Sequence, residues 1–163
     1  MATLGRPSRP SSHPFSIADR PLSLNDLRSA PADPQGIVAW ARRTATRDFT
    51  PEALKRENDV ESFVNDFLFG LLAQAPASPR TRAAAFRALA TSPGITSGDI
   101  VRDSRGRKGR ELRLGPLHRF VVDPATATLL AESVGSPGLG RSRTRTHLEA
   151  GWTNERPAPS AEP

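Results

Sequence analysis

At 163 residues the chain amounts to about one domain. Gly 12 and Pro 16 dilute it, hydrophobic residues are only 36% and aromatics 6%, so roughly 110 residues remain for a core, enough for one small domain and too few for two. No stretch approaches the roughly 18 apolar residues of a membrane-spanning helix, and the absence of Cys excludes a disulfide scaffold or a thiolate metal site. Formal net charge is +6.

The charge is unevenly placed. Residues 31–75 carry five basic and seven acidic groups, whereas residues 80–119 carry ten basic and three acidic groups. Lys55 and Lys108 are the only lysines; the preference for Arg matches GC-rich codons, so a high-GC bacterium is the economical source. No 7–15-residue apolar run follows Arg6 and Arg9, so no export signal is visible and the chain as written is expected in the cytoplasm.

Residues 1–20, interrupted by Pro7, Pro10 and Pro14, read as a disordered arm. A single domain is expected over residues 21–135. Residues 21–30 offer a short strand or turn with Leu22, Leu24 and Leu27 to bury. Asp33-Pro34 then starts a helix, Asp33 as N-cap and Pro34 at the first helical position, running to about Thr46 with Ile37, Trp40, Ala41 and Ala45 on one stripe.

From Pro51 to about Ala75, Val60, Phe63, Val64, Phe67, Leu68, Leu71 and Leu72 repeat at helical spacing. Gly70 costs this helix about 1 kcal/mol relative to Ala, and Phe69 lies off its apolar stripe. Ser78-Pro79 opens a third helix with Ala83, Phe86, Leu89 and Ala90 as its packing face, ending at Pro93-Gly94.

The period then changes. Ile95–Asp103, Glu111–Leu114, Leu117–Asp123 and Thr128–Val134 read as strands, joined by Ser104-Arg105-Gly106-Arg107, Gly115-Pro116 and Asp123-Pro124-Ala125-Thr126, the last a type I turn. The expectation is an α+β domain: about three helices followed by a four-stranded antiparallel meander. Residues 136–163 read as a disordered C-terminal tail.

Four blocks carry a resemblance. Arg80-Thr81-Arg82-Ala83-Ala84-Ala85-Phe86-Arg87-Ala88-Leu89-Ala90-Thr91-Ser92-Pro93-Gly94-Ile95 is similar to the "RAALYRALAxxPGV" block of a large actinobacterial group of membrane-anchored, sigma-factor-associated proteins. Asp103 to Gly109 resembles its "DxxGRxG" turn, and Asp123 to Leu130 its "DPATGxLL" hairpin. Leu24, Leu27 and Ala32-Asp33-Pro34 resemble its "LPTDP" helix entry. Order and spacing agree over residues 22–135. The resemblance implies the soluble C-terminal region of such a protein, exported in the family, with no established activity and no catalytic residues to carry over. This chain lacks the anchor and much of the length, so a truncated gene copy is one reading. It has Ala127 where the group prefers Gly, which implies strain at a left-handed position. It has Arg110-Glu111 where the group has apolar strand residues, which implies a weaker sheet there.

A catalytic set is not visible. His13, His118 and His147 are far apart, no His pair has metal-ligand spacing, and His118 reads as a structural or surface histidine. Gly135-Ser136-Pro137-Gly138-Leu139-Gly140 lacks the Lys-Ser/Thr ending of a phosphate loop and reads as linker. No nucleophile elbow occurs, and no cofactor or metal is expected.

Two basic clusters remain. Arg102, Arg105, Arg107, Lys108, Arg110 and Arg113 crowd one turn, a candidate partner or phosphate contact against the plainer reading of a solvated hairpin tip. Arg141, Arg143 and Arg145 alternate with Ser and Thr, which places three guanidinium groups on one side if the segment is extended. The function expected is a non-enzymatic interaction module with a protein partner, by self-association or in sigma-factor control. The apolar stripe of the long helix is broad for so small a domain, so part of it, or Phe69 on its edge, is expected to stay exposed as the self-association or partner surface. Phe67 and Phe69 are the candidate apolar interface, against the plainer reading that the first and third helices cover the stripe completely. The alternative is a basic nucleic-acid-binding protein using the Arg-rich hairpin and tail; a hydrolase has no motif behind it.

Overall fold

The computed structural model describes residues 15–136 and 141–147. Its element order is β1 (Phe15–Ile17), β2 (Arg20–Leu22), α1 (Leu24–Ser29), α2 (Pro34–Ala45), α3 (Pro51–Leu54), α4 (Glu57–Ala73), α5 (Pro79–Leu89), β3 (Ile95–Arg102), β4 (Lys108–Leu114), β5 (His118–Asp123), β6 (Thr128–Ser136) and β7 (Arg141–Thr146). The class is α+β. Among the described residues there are five helices, where three were expected, a five-stranded antiparallel meander in the order β3-β4-β5-β6-β7, where four strands were expected, and a separate β1-β2 hairpin.

Local chemistry sets the helix starts. Asp33 accepts from the Gly36 N–H at 2.7 Å and Pro34 occupies the first turn of α2. Ser78 caps α5 through the Thr81 N–H, again with Pro following. Ser23 and Asp26 form a capping box on α1. The helix expected from Pro51 is broken: α3 ends at Leu54, and α4 restarts after Arg56, whose side chain makes no cap.

The three long helices pack on one another, and α4 carries them against the large sheet at β6. Ile37 and Ala41 of α2, Val60, Val64, Phe67, Leu68 and Leu71 of α4, and Ala84, Ala85 and Leu89 of α5 share one core with Leu112, Phe120, Val122 and Leu129 of the sheet. The buried face of α5 is Ala84, Ala85, Ala88 and Leu89, while Ala83 and Phe86 are only half-buried. Small side chains let α5 approach α2 and α4 closely, which rotates the expected face.

Ends of the domain reach further than the sequence suggested. Ile17 and Leu22, at or beside the expected N-terminal arm, are fully buried in the main core. Ile17 lies where a side chain on Gly70 would be: a Cβ there would stand 2.1 Å from Ile17 Cγ2. The glycine in α4 is therefore the seat of the β1-β2 hairpin. Residues Arg141–Thr146, expected in the tail, form the edge strand β7, paired with β6 from Ser136↔Arg141 to Ala131↔Thr146. Residues 1–14, 137–140 and 148–163 lie outside the described residues, and with them the rest of the expected arm, linker and tail.

Ala127 takes the left-handed conformation with φ 53°, which costs a residue with a Cβ some strain. The strand at Arg110-Glu111 is continuous: Arg110 pairs with Ile100 and Val122, and Glu111 with Val121.

Candidate functional site

The turn after β3 is built around Asp103. Its carboxylate accepts the Arg105 and Arg107 backbone N–H groups at 2.9 Å each and the Arg107 Nε at 2.7 Å. Burial pushes this carboxyl up, but the Arg107 side chain and the two backbone donors outweigh it and hold it below the usual carboxylate range. Gly106, at φ 77°, closes the turn.

Arg107 does more than cap. Its Nη2 donates to the carbonyls of Leu130 at 3.2 Å and His147 at 2.7 Å, and Ser104 Oγ lies 2.8 Å from Thr146 Oγ1. The turn thus folds back on β6 and on the end of β7. Val101, Val121, Leu130 and Ala131 form a second small core on this side of the sheet. Gly109 leaves room for it, since a Cβ there would stand 2.6 Å from Val121 Cγ1.

The six basic residues expected as one contact surface are consequently divided. Arg107 is a structural pin. Arg102 donates to the Gly106 carbonyl at 2.6 Å and Arg110 to the Gly98 carbonyl at 2.9 Å. Arg113 grips the buried Glu111 at 2.7 Å, and Arg119 from the next strand pairs with the same carboxylate. Glu111 thereby becomes the anchor that two guanidinium groups neutralise. Among the described residues, only Arg105 and Lys108 of the six have no hydrogen-bond or ion-pair partner for their side chains.

The expected apolar interface is corrected. Phe67 is fully buried with its ring edge-on to Trp40 at 5.4 Å, and Phe69 is buried in a parallel stack on Phe120 at 3.7 Å. Phe69 sits off the helical stripe but under the sheet, which covers a wider face of α4 than the stripe alone. The member of the stripe left outside is Phe63, 42% exposed, meeting Phe49 edge-on at 4.9 Å. Leu54, 48% exposed, stands on the adjoining α3. Arg20 lies over the Phe49 ring at 5.7 Å and pairs with Asp48. Part of the stripe was expected to stay exposed; periodicity put Phe63 on it but could not single it out from Phe67.

Sequence reasoning also missed a cleft of about 300 Å³ between α4, the β1-β2 turn and the sheet, lined in part by Asp66, Phe69, His118, Phe120 and Glu132. Burial pushes the Asp66 carboxyl up, partly offset by the nearby His118. No group of three or more His, Cys, Asp or Glu among the described residues is placed to hold a metal ion. No helix among them is long and apolar enough to cross a membrane. Comparison with known proteins finds no matching family, no matching curated protein and no matching solved structure.

Proposed function

We propose that this chain is a protein-interaction module, the role implied by its resemblance to the soluble region of the sigma-factor-associated actinobacterial group. The observation that supports the reading is the exposed Phe63 on the Phe49 ring, with Leu54 also exposed on the helix before it. Single exposed apolar side chains are ordinary on a protein surface. Here the exposed Phe63 ring meets Phe49, Arg20 lies over the Phe49 ring in its pair with Asp48, and Leu54 is exposed on α3, which packs on α4. An apolar centre with aromatics and a charged rim is the composition of a recognition hot spot.

The test is a photo-crosslinking benzophenone amino acid in place of Phe63, in cells of the source organism, with Thr126 on the distant β5-β6 turn as the control position. A discrete crosslinked protein at Phe63, lost on adding Leu54→Ser, is the expected result. No crosslink, or the same bands from Thr126, overturns the reading.

Nucleic-acid binding through the Arg-rich turn has less behind it, because four of its six cations already serve intramolecular partners. A salt titration with random duplex DNA separates the two readings, since phosphate binding weakens steeply with salt.

A further inference from the structure

We propose that the free edge of β7 is a receptor for an acidic peptide strand, which adds to the sheet as a sixth strand beside Arg143 and Arg145. This surface is independent of the Phe63 patch.

Strand β7 pairs with β6 on one side, and among the described residues no strand lies on the other. No described strand therefore pairs with the backbone N–H and C=O groups along that side, an open edge of the kind most sheets suppress. Six residues present an edge of about 20 Å. The strand is held firmly from behind: Ser133 and Thr144 hydroxyls meet at 2.9 Å, Thr146 meets Ser104, and the His147 carbonyl takes the Arg107 guanidinium. An edge so secured is a built feature and not a frayed end.

Side chains alternate across the strand. Thr144 and Thr146 serve the sheet side that carries the Arg107 turn, while Arg143 and Arg145 fall opposite Val134 and Glu132 on the other. Both arginines are exposed. Arg145 reaches Glu132 only at 3.6 Å, and among the described residues Arg143 pairs with no carboxylate. They line a groove of about 410 Å³ with Glu132, Val134 and Gly135.

Charge selects the occupant. Two copies of β7 pairing antiparallel, with their helix layers on the same side, would set Arg opposite Arg, which cross-strand pairing disfavours. A strand with Glu or Asp at every second position instead places carboxylates opposite both guanidinium groups, where bidentate bonding is available. A nucleic-acid strand would satisfy the same guanidinium groups but not the backbone donors and acceptors of the edge. Strand addition supplies affinity through the main chain and specificity through alternate side chains.

The probe is a fluorescent, end-capped peptide alternating Glu with Thr and Val, titrated into the full chain by anisotropy. Three competitors accompany it: the same peptide N-methylated at alternate amides, a peptide with Lys for Glu, and an oligothymidylate of equal charge. Saturable binding is expected, weakened at least tenfold by the N-methyl groups, abolished by Lys, and weakened at least tenfold by Arg143→Gln with Arg145→Gln. Phe63→Ser should leave it unchanged, so its outcome is separable from that of the patch. Circular dichroism of the Gln variant confirms that it folds, and backbone amide shifts on titration should concentrate in β7. Equal binding of the N-methylated peptide, or tighter binding of the oligothymidylate, overturns the proposal. So does binding that emerges only after residues 148–163 are deleted, because the chain's own C-terminal segment would then be the occupant.

Discussion

Replacing Gly70 with Ala sets a local rule against a tertiary contact. In the middle of a helix the substitution should add about 1 kcal/mol of stability, because Ala loses less backbone freedom on folding. The structure reverses the sign. The added Cβ would lie 2.1 Å from Ile17 Cγ2 and 3.2 Å from Ile17 Cβ, against a carbon–carbon contact distance of about 3.5–4.0 Å. Ile17 is fully buried and β-branched, so its side chain has few other rotamers. Overpacking of this kind costs about 1–3 kcal/mol, leaving a net loss of up to about 2 kcal/mol once the helix-propensity gain is subtracted. In urea unfolding followed by far-UV circular dichroism, the midpoint should fall by up to about 1 M. Ile17→Ala alone should cost about 2–5 kcal/mol. In that background Gly70→Ala fills vacated space and should turn favourable by about 1 kcal/mol, a coupling of about 1–3 kcal/mol in the double-mutant cycle. A gain in stability from Gly70→Ala in the otherwise unchanged protein would refute the seating of the hairpin on α4.

Phe67→Ala should cost about 3–5 kcal/mol in the same unfolding assay, whereas Phe63→Ala should cost about 1 kcal/mol, mostly its edge contact with Phe49; equal costs would contradict the burial assignment. Burial holds the His147 imidazole below its ordinary pKa, Arg145 and Arg107 add to that, and Glu132 opposes it. Its contribution to β7 docking is therefore complete above about pH 6.5 and lost as pH falls through the folded value. Hydrogen exchange in β7, corrected for intrinsic rate, should accelerate relative to β5 between about pH 7.5 and about pH 5.5, and an unchanged ratio counts against it. Asp103, held below the carboxylate range, contributes stability that is present above about pH 4 and disappears as pH falls through its folded value; Asp103→Asn should flatten that acid limb of the unfolding curve.

Periodicity made the central elements readable. Helices α2 and α5 begin where Asp33-Pro34 and Ser78-Pro79 place them, because caps are local chemistry. Strands β3 to β6 fall within a few residues of their alternating patterns. The β1-β2 hairpin and β7 were illegible for a different reason. Arg20-Pro21-Leu22 and Arg141 to Thr146 have no apolar alternation of their own. The hairpin exists because Ile17 and Leu22 find a cavity over Gly70, and β7 because β6 offers it a hydrogen-bonded edge. Gly70 is far from the hairpin in sequence, whereas β6 ends only a few residues before β7, whose own residues carry no apolar signal. A capping signal was nevertheless present at Ser23-Leu24-Asn25-Asp26, and it marks α1 directly.

The arginines teach the same point about sites. Counting cations in residues 102–113 suggested one basic surface, yet spacing already held a hint of the outcome. Asp103 and Arg107 stand four apart across a tight turn, and Glu111 and Arg113 share a strand face, so both acids are positioned to consume neighbouring charge. Once they do, Arg107 and Arg113 are committed to carboxylates, and the Arg107 side of the turn is mechanical. Arg107 ties the turn to the end of β7. It follows that Arg107→Ala should act on a partner of β7 at a distance. The substitution leaves Arg143 and Arg145 in place but removes the brace at His147, so peptide affinity and β7 exchange protection should fall together. If affinity fell while protection stayed, Arg107 would be contacting the ligand itself, and the turn would regain its standing as a binding surface.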